Sequence, residues 1–485
     1  MKRTVKLWLA LIVFAAFSYN IAIATELQHP NIVLILADDL GYGDVQCLNP
    51  QRGKIQTPNL DRLATQGMVF TDAHSGSSVC TPTRYGLLTG RYAWRTRLQK
   101  GVLDGGNDEP LIAEDRFTLG AMLSGHGYVA ACIGKWHLGF QSDARTVQGG
   151  KAMGQNGLPV GAKILGGPIT RGFDTFWGCS NARTMSSLIE GDRVIEMIET
   201  VDMLPRLGQR AVQFIESHIA SSSKESPFFL YLPLTSPHTP IVPSDRWRGK
   251  SGLGDYGDFV MQTDAIVADV LKALDEQGIA DNTLVLFSSD NGCSPAADTE
   301  KLEAAGHFAS ERYRGYKADI WDGGHRVPLF VRWPGKVKPG TQSDQLICLT
   351  DVIATCAEII GHKLPDTAGE DSVSFLPTLL GKETPVVRES IVHHSIQGKF
   401  AIRDKRWKLC LCNGSGGWSK GKTTSPQLYD MQTDPEESNN MAQHEPDVVA
   451  RLSELLKRFI ERGRSTPGTE QANDVKVNAP YGTLD

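Results

Sequence analysis

Four stretches of the chain, 32–36, 128–133, 228–232 and 284–287, are apolar at almost every position and rich in β-branched residues. Runs so short and continuous predict strands buried on both faces, as in the middle of a parallel sheet. Between them the apolar spacing lengthens to that of amphipathic helices. Thr57-Pro58 predicts an N-cap with proline at the first helical position, and Leu60 and Leu63 face inward. The clearest stripe, Ile266, Val267, Val270, Leu271 and Leu274, predicts a helix over 258–277 closed by Gly278. This alternation predicts an α/β fold: a large mixed, mostly parallel sheet flanked by helices on both faces. Ligands bind such sheets beyond the carboxyl ends of the strands.

Residues 140–225 are rich in glycine and weak in period, which predicts long loops over that same edge. From about 386 the pattern changes to short strands, 390–393, 400–402 and 407–411, followed by a helix over 446–462. A small C-terminal antiparallel sheet with one helix is expected there. The organisation expected is thus a catalytic domain over 25–385 and a small α+β subdomain over 386–485, with a mobile tail after Arg464.

Residues 1–24 read as a signal peptide: Lys2, Arg3 and Lys6 precede an apolar run over 7–17, and Ala22-Ile23-Ala24 supplies small residues for cleavage. That run is shorter than the roughly 20 residues of a spanning helix, so the mature chain is expected to have no membrane span and to be exported, periplasmic or extracellular. A net charge of -5 provides no basic field for nucleic acid, which is excluded as a partner. Nine cysteines are too few for a disulfide scaffold at 485 residues, and their odd number leaves at least one unpaired. The close spacing of Cys410 and Cys412 disfavours a bridge between them.

Two of the predicted strands run into acidic clusters, Asp38-Asp39 and Asp290-Asn291-Gly292. Side by side at one sheet edge they would offer three carboxylates and an amide oxygen, an all-oxygen set suited to Ca²⁺ or Mg²⁺. Taken singly, aspartates at strand ends are also ordinary turn residues.

Between the clusters lies Ser78-Val79-Cys80-Thr81-Pro82-Thr83-Arg84. This C-x-P-x-R segment resembles the signature of the type I sulfatases, a formylglycine-dependent family of the alkaline phosphatase-like superfold. Gly127-Tyr128 and Ile133-Gly134-Lys135-Trp136-His137-Leu138-Gly139 are similar to the family's second signature, with Ala130 where serine or threonine is usual. The likeness continues through Ser236-Pro237-His238-Thr239-Pro240, Arg314-Gly315-Tyr316-Lys317 and Gly323-Gly324-His325-Arg326-Val327-Pro328, and it points to the arylsulfatase A-like and N-acetylgalactosamine-6-sulfatase-like branch.

The resemblance implies a sulfuric ester hydrolase. Cys80 would be converted to formylglycine by a maturation enzyme, and the aldehyde hydrate would attack sulfur. Asp38, Asp39, Asp290 and Asn291, together with residue 80, would hold one calcium ion. Arg84 would steady the hydrate, Lys135 and Lys317 would bind sulfate oxygens, His238 or Lys317 would protonate the leaving alcohol, and His137 would take the proton whose loss expels sulfate. The substrate expected is a sulfated carbohydrate, with His325, Arg183 and the loop 179–187 as candidate sugar contacts and Trp247 and Trp418 as candidate stacking surfaces.

Two other readings stay open at the level of sequence. A phosphoric ester hydrolase of the same superfold would need zinc and several histidines, and Asn291 stands where one would be expected. A chain with Cys80 unconverted would be a non-catalytic binder of sulfated glycans.

Overall fold

A computed structural model of the protein describes residues 29–104, 108–145, 147–148, 156–221, 226–382 and 388–477; the segment 1–24 lies outside the described residues. The main sheet has ten strands: β1 Asn31–Asp38, β2 Met68–Phe70, β3 Val129–Lys135, β4 Thr175–Cys179, β5 Ser187–Glu190, β6 Arg193–Met197, β7 Phe228–Pro237, β8 Thr283–Ser289, β9 Leu329–Arg332 and β10 Thr341–Ser343. Their spatial order is β10-β2-β9-β8-β1-β7-β3-β4-β5-β6. The five central strands, β8-β1-β7-β3-β4, are mutually parallel, so their carboxyl ends share one edge. Antiparallel strands flank them on both sides.

Helices α1 Pro58–Gln66, α2 Cys80–Thr89, α3 Leu119–Gly125, α4 Thr200–Ala220, α5 Gly254–Glu276 and α6 Val352–Ile359 cover both faces. Along β1, Ile32, Leu34 and Leu36 join a core with α2, α3 and α6, while Val33, Ile35 and Ala37 join one with α1, α4 and α5. A strand must be apolar at every position to satisfy both cores, which is why the continuous runs marked the central strands. Gly278, at φ +67°, follows the end of α5 as the pattern predicted. Thr57 precedes α1 but does not cap it; its hydroxyl accepts instead from the Gln46 backbone at 2.9 Å.

Residues 140–225 depart from the loops expected of them: β4, β5 and β6 extend the main sheet, and α4 runs for 21 residues. Buried Met203, Leu204, Leu207, Ala211 and Ile215 form the inner stripe of α4, while Pro205 in its first turns broke the sequence signal.

The second sheet comprises β11 Ser390–His394, β12 Phe400–Asp404, β13 Trp407–Cys410 and β14 Gln427–Asp430, all antiparallel, packed under α7 Pro446–Glu461. It is joined to the main body by a buried polar network. Lys408 on β13 lies 2.8 Å from both Asp322 and Glu437, Arg403 on β12 reaches Asp72 at 2.8 Å, and His393 on β11 stacks on His325 with ring centres 3.7 Å apart. Residues 465–477 are also anchored, contrary to the mobile tail expected: the Ser465 amide donates to the Glu370 carbonyl and Asp474 pairs with Arg91 at 3.0 Å. All nine cysteines are free, and among the described residues no helix is long and apolar enough to cross a membrane.

The histidines of this network are neutral in the fold. Burial brings His74 down to about 4 against the pull of Asp72 and Asp322, and burial followed by the neighbouring His393 and Lys408 holds His325 well below its ordinary value. Burial, then His74 and Lys408, does the same for His393. Below an ordinary histidine pKa of about 6.5 the unfolded chain therefore binds more protons than the folded one, so stability rises with pH across this window and is lost on acidification. Thermal unfolding should show a midpoint that falls between pH 6.5 and 4, and His393→Phe, which keeps a ring against His325, should flatten the fall. A midpoint independent of pH in that window would show that these histidines do not remain neutral in the fold.

Candidate active site

Parallel strands turn residues distant in sequence into neighbours. Across the carboxyl edge, β8 delivers Asp290 and Asn291, β1 delivers Asp38 and Asp39, β7 delivers His238, and β3 delivers Lys135 and His137. The register pairs Ala37 with Ser289 and Asp38 with Pro237, which sets the two acidic clusters and His238 at the same level. Cys80 and Arg84 come from the first turns of α2, four residues apart and hence on one helix face. Lys317 arrives from the loop before β9, its backbone donating to the Cys293 carbonyl at 2.8 Å.

Backbone conformation aims several of these groups. Asp39 (φ +67°) and His137 (φ +54°) occupy the left-handed region, which non-glycine residues enter rarely. Gly134 (φ +143°) lies so close to β7 that a Cβ there would be 1.9 Å from the Pro233 carbonyl oxygen, and on its other side a Cβ on Gly178 of β4 would be 2.0 Å from the Gly134 carbonyl oxygen. Only glycine fits there, and the chain can then turn Lys135 toward the acidic clusters.

Arg84 is the hub. Its Nε and Nη2 donate to Asp290 Oδ2 at 3.0 and 2.8 Å, its Nη1 donates to the Lys135 carbonyl at 2.8 Å, and Asp38 Oδ1 stands 3.6 Å from Nη2. Lys135 Nζ donates to Asp38 Oδ2 at 2.6 Å and Lys317 Nζ lies 2.6 Å from Asp39 Oδ1. Asn291 Nδ2 donates to Asp39 Oδ1 at 2.7 Å. All these side chains are buried.

Two oxygens in this cage, Asp38 Oδ1 and Asn291 Oδ1, are buried without a hydrogen-bond partner. The ligand atoms of Asp38, Cys80 and Asp290 lie within 4.8 Å of one another, as do those of Asp38, Asp39 and His238. Burial, then the charge of Asp38, pushes the Asp290 carboxyl well above its ordinary value. Burial also works against the charge on Asp38, but Lys135, His238 and Arg84 outweigh it and hold that carboxyl low. Convergent carboxylates that resist joint ionisation, with orphaned oxygens between them, fit a hard divalent cation. Asp38, Asp39, Asp290 and Asn291 are the residues that would hold it.

The two histidines differ. His137 Nε2 meets the Leu103 carbonyl at 2.9 Å and must carry the hydrogen, because a carbonyl only accepts; Nδ1 is left as a buried lone pair with no partner. Burial, then Lys135 and Arg84, holds this ring well below its ordinary pKa. His238 donates from Nδ1 to the Thr239 carbonyl, with Nε2 3.6 Å from Asp39. Burial brings it down to about 4, with Asp39 opposing.

A cleft of about 890 Å³ opens over Asp39, Cys80, Lys135, His137, His238 and Lys317. Asn181, Arg183 and Trp418 line it as well, so the loop 179–187 and one of the two tryptophans stand where the sequence suggested. Trp247 does not line it. His325 must also be withdrawn as a sugar contact: it is fully buried between His74, His393 and Lys408 in the network that joins the two sheets. The sequence reading missed Glu300 and Glu303, on the short helix Thr299–Ala304, and Ser419 and Lys420. Glu300 and Glu303 lie on the segment that leaves the sheet edge after Asp290-Asn291, beyond the turn Pro295–Ala297, a position that borders a ligand bound at that edge.

The sulfatase family model matches residues 30–362, which span this sheet and every residue of the cage. The chain belongs to the sulfatase family. As a sulfatase it is a sulfuric ester hydrolase of alkaline phosphatase-like fold, and a second model, described as the C-terminal part of N-sulphoglucosamine sulphohydrolase, matches 316–463. The sulfatase is 34% identical to N-acetylgalactosamine-6-O-sulfatase of Bacteroides thetaiotaomicron over 90% of this chain and 94% of the relative. To arylsulfatase A of Homo sapiens it is 30% identical, over 91% and 89% respectively. A solved structure from work on the metabolism of multiple glycosaminoglycans by Bacteroides thetaiotaomicron superposes with a TM-score of 0.77 at 32% identity, covering 89% of this chain and 99% of that one.

The sulfatase should depend on Arg84 for stability as well as geometry. Arg84→Met leaves buried Asp290 without its direct counter-charge and Asp38 with Lys135 as its remaining partner, and in metal-free protein it should cost about 3–5 kcal/mol of unfolding free energy. Arg84→Lys should recover only part, since one ammonium cannot span Asp290 and the Lys135 carbonyl. Urea unfolding in chelator measures both, and a loss under about 1 kcal/mol for Arg84→Met, the level of an exposed pair, would contradict the hub.

Proposed function

We propose that this sulfatase removes sulfate from a sulfated carbohydrate, using a formylglycine made from Cys80 and one calcium ion held by Asp38, Asp39, Asp290 and Asn291 beside residue 80. The observation that carries this reading is that Cys80 shares one buried cage with the orphaned oxygens of Asp38 and Asn291 and with three basic side chains, Arg84, Lys135 and Lys317. Once present, the hydrated aldehyde and the cation would supply a nucleophilic hydroxyl at residue 80, a second hydroxyl that lets sulfate depart without attack by water at sulfur, and polarisation of a sulfate oxygen.

The chain's own residues do the rest. Arg84 fixes Asp290 and keeps its charge at the floor of the pocket, because burial, which works against the guanidinium, is more than offset by Asp290 and then Asp38. Lys135 and Lys317 present ammonium groups to the sulfate oxygens, where preorganised charge in a dry site acts most strongly. His137 holds a lone pair on Nδ1 and is suited to take a proton from residue 80. For the leaving alcohol, Lys317 has a proton in place at Nζ, whereas His238 has its Nδ1 hydrogen committed to Thr239; Lys317 is therefore the better donor.

A carbohydrate substrate is supported by the name of the 34% identical relative, N-acetylgalactosamine-6-O-sulfatase, and by the cleft's volume of about 890 Å³. Residues 1–24 would direct export, and a maturation enzyme would oxidise Cys80. Catalysis would reside in 25–385, with 386–485 closing one side of the cleft.

Mass spectrometry of the tryptic peptide carrying Cys80, read together with sulfate release from defined sulfated sugars, tests the proposal. Converted protein should show one sulfur and two hydrogens exchanged for one oxygen and should release sulfate, and Cys80→Ala should lower kcat by roughly 10⁴-fold or more with the fold intact. Full activity in the alanine variant would sink the assignment of the nucleophile. An unmodified thiol in inactive protein would leave a binder of sulfated glycans instead.

A further inference from the structure

Among the large apolar side chains left exposed in the described residues, Trp418 is the only aromatic, at 53% exposure. It stands on the loop between β13 and β14 and lines the cleft that reaches Cys80, Lys135 and Lys317. An indole left in water forfeits the burial that makes tryptophan stabilising, so its placement calls for a reason.

The backbone beneath it is tightly held. Asp319 Oδ1 accepts from the Trp418 and Ser419 amides, both at 3.0 Å, while Asp319 Oδ2 accepts from the Tyr316 amide at 3.0 Å. One fully buried carboxylate thus ties the turn that carries Lys317 to the loop that carries Trp418. Gly417 sits so close to Ala318 that a Cβ would lie 2.2 Å from its carbonyl oxygen, Gln397 donates to the Gly417 carbonyl at 2.9 Å, and the Ile320 amide donates to Ser415 at 2.7 Å. An exposed aromatic on an immobilised backbone, at a fixed offset from a sulfate-binding ammonium, has the properties of a ligand platform.

The rim selects the ligand's chemistry. Arg183 and Lys420 are exposed at the cleft, as are Glu300 and Glu303. A flat apolar group such as a sterol would strip water from these charges and return nothing to them. A pyranose has one face of C–H bonds to lie on the indole and a circumference of hydroxyls to pair with carboxylates and guanidinium.

We propose that Trp418 is the sugar platform of this sulfatase, stacking on the pyranose ring that bears the scissile sulfate. The proposal rests on the reading of the cleft as a sulfate-ester site, and the test separates the two. Full-length, calcium-loaded Cys80→Ala protein, with Trp418 intact or changed to Ala or Phe, is titrated calorimetrically with inorganic sulfate. The same proteins are titrated with a panel of 2-O-, 4-O- and 6-O-monosulfated hexoses and N-acetylhexosamines. At least one sulfated pyranose should bind more tightly than inorganic sulfate; Trp418→Ala should erase that advantage, a loss of about ten- to hundredfold, and Trp418→Phe should retain part of it. Inorganic sulfate should bind all three proteins alike. In protein with Cys80 restored, Trp418→Ala should raise KM for that sugar with kcat nearly unchanged. If no pyranose outbinds inorganic sulfate, or if Trp418→Ala binds the panel as the intact protein does, the platform is wrong and the sulfate site stands. If neither inorganic sulfate nor any sulfated sugar binds, the reading of the cleft falls, and the platform falls with it.

Discussion

Two buried carboxylates, Asp38 and Asp290, face each other across the ends of adjacent parallel strands with one guanidinium between them. In an interior of low dielectric such a pair is tolerable only with counter-charge close by. That requirement accounts for much of the surrounding anatomy. Arg84 is buried because both acids need it, and Lys135 points inward because Asp38 does. The oxygens left unpaired, on Asp38 and Asn291, mark the place where counter-charge is still wanted.

The sheet solves the problem of assembly. Site residues from Asp38 to Lys317 are scattered along the chain, and four of the parallel strands, β8, β1, β7 and β3, bring most of them to one edge. The smaller sheet contributes differently, through a buried network of Lys408, Asp322, Arg403 and stacked histidines that fixes it to the main body and carries the β13–β14 loop to the cleft. Its role at the cleft is to form a wall.

What was legible in the sequence follows the same physics. Central strands buried on both faces announce themselves as unbroken apolar runs, and the acids that follow them read directly as edge residues. Edge strands do not: β6 exposes Arg193, Ile195 and Glu196, so its pattern resembles a loop. In α4, Pro205 and Gly208 disguised a long amphipathic helix whose stripe is plain once its burial is known. His325 was misplaced because its motif neighbours Lys317 in sequence, whereas its partner His393 comes from a strand nearly seventy residues later. The tail was misjudged for a related reason, since Asp474 is held by Arg91 across most of the chain length. Contacts of that range leave no local trace.

The oxygens that converge at the strand ends form a cage whose chemistry fits a hard cation. Calorimetric titration of metal-free protein with Ca²⁺, Mg²⁺ and Zn²⁺ tests it most directly, with Asn291→Leu as the comparison. One site per chain is expected, tighter for Ca²⁺ than for Zn²⁺ and strongly weakened in the variant. Preferential binding of Zn²⁺, or Ca²⁺ binding indifferent to Asn291, would contradict it.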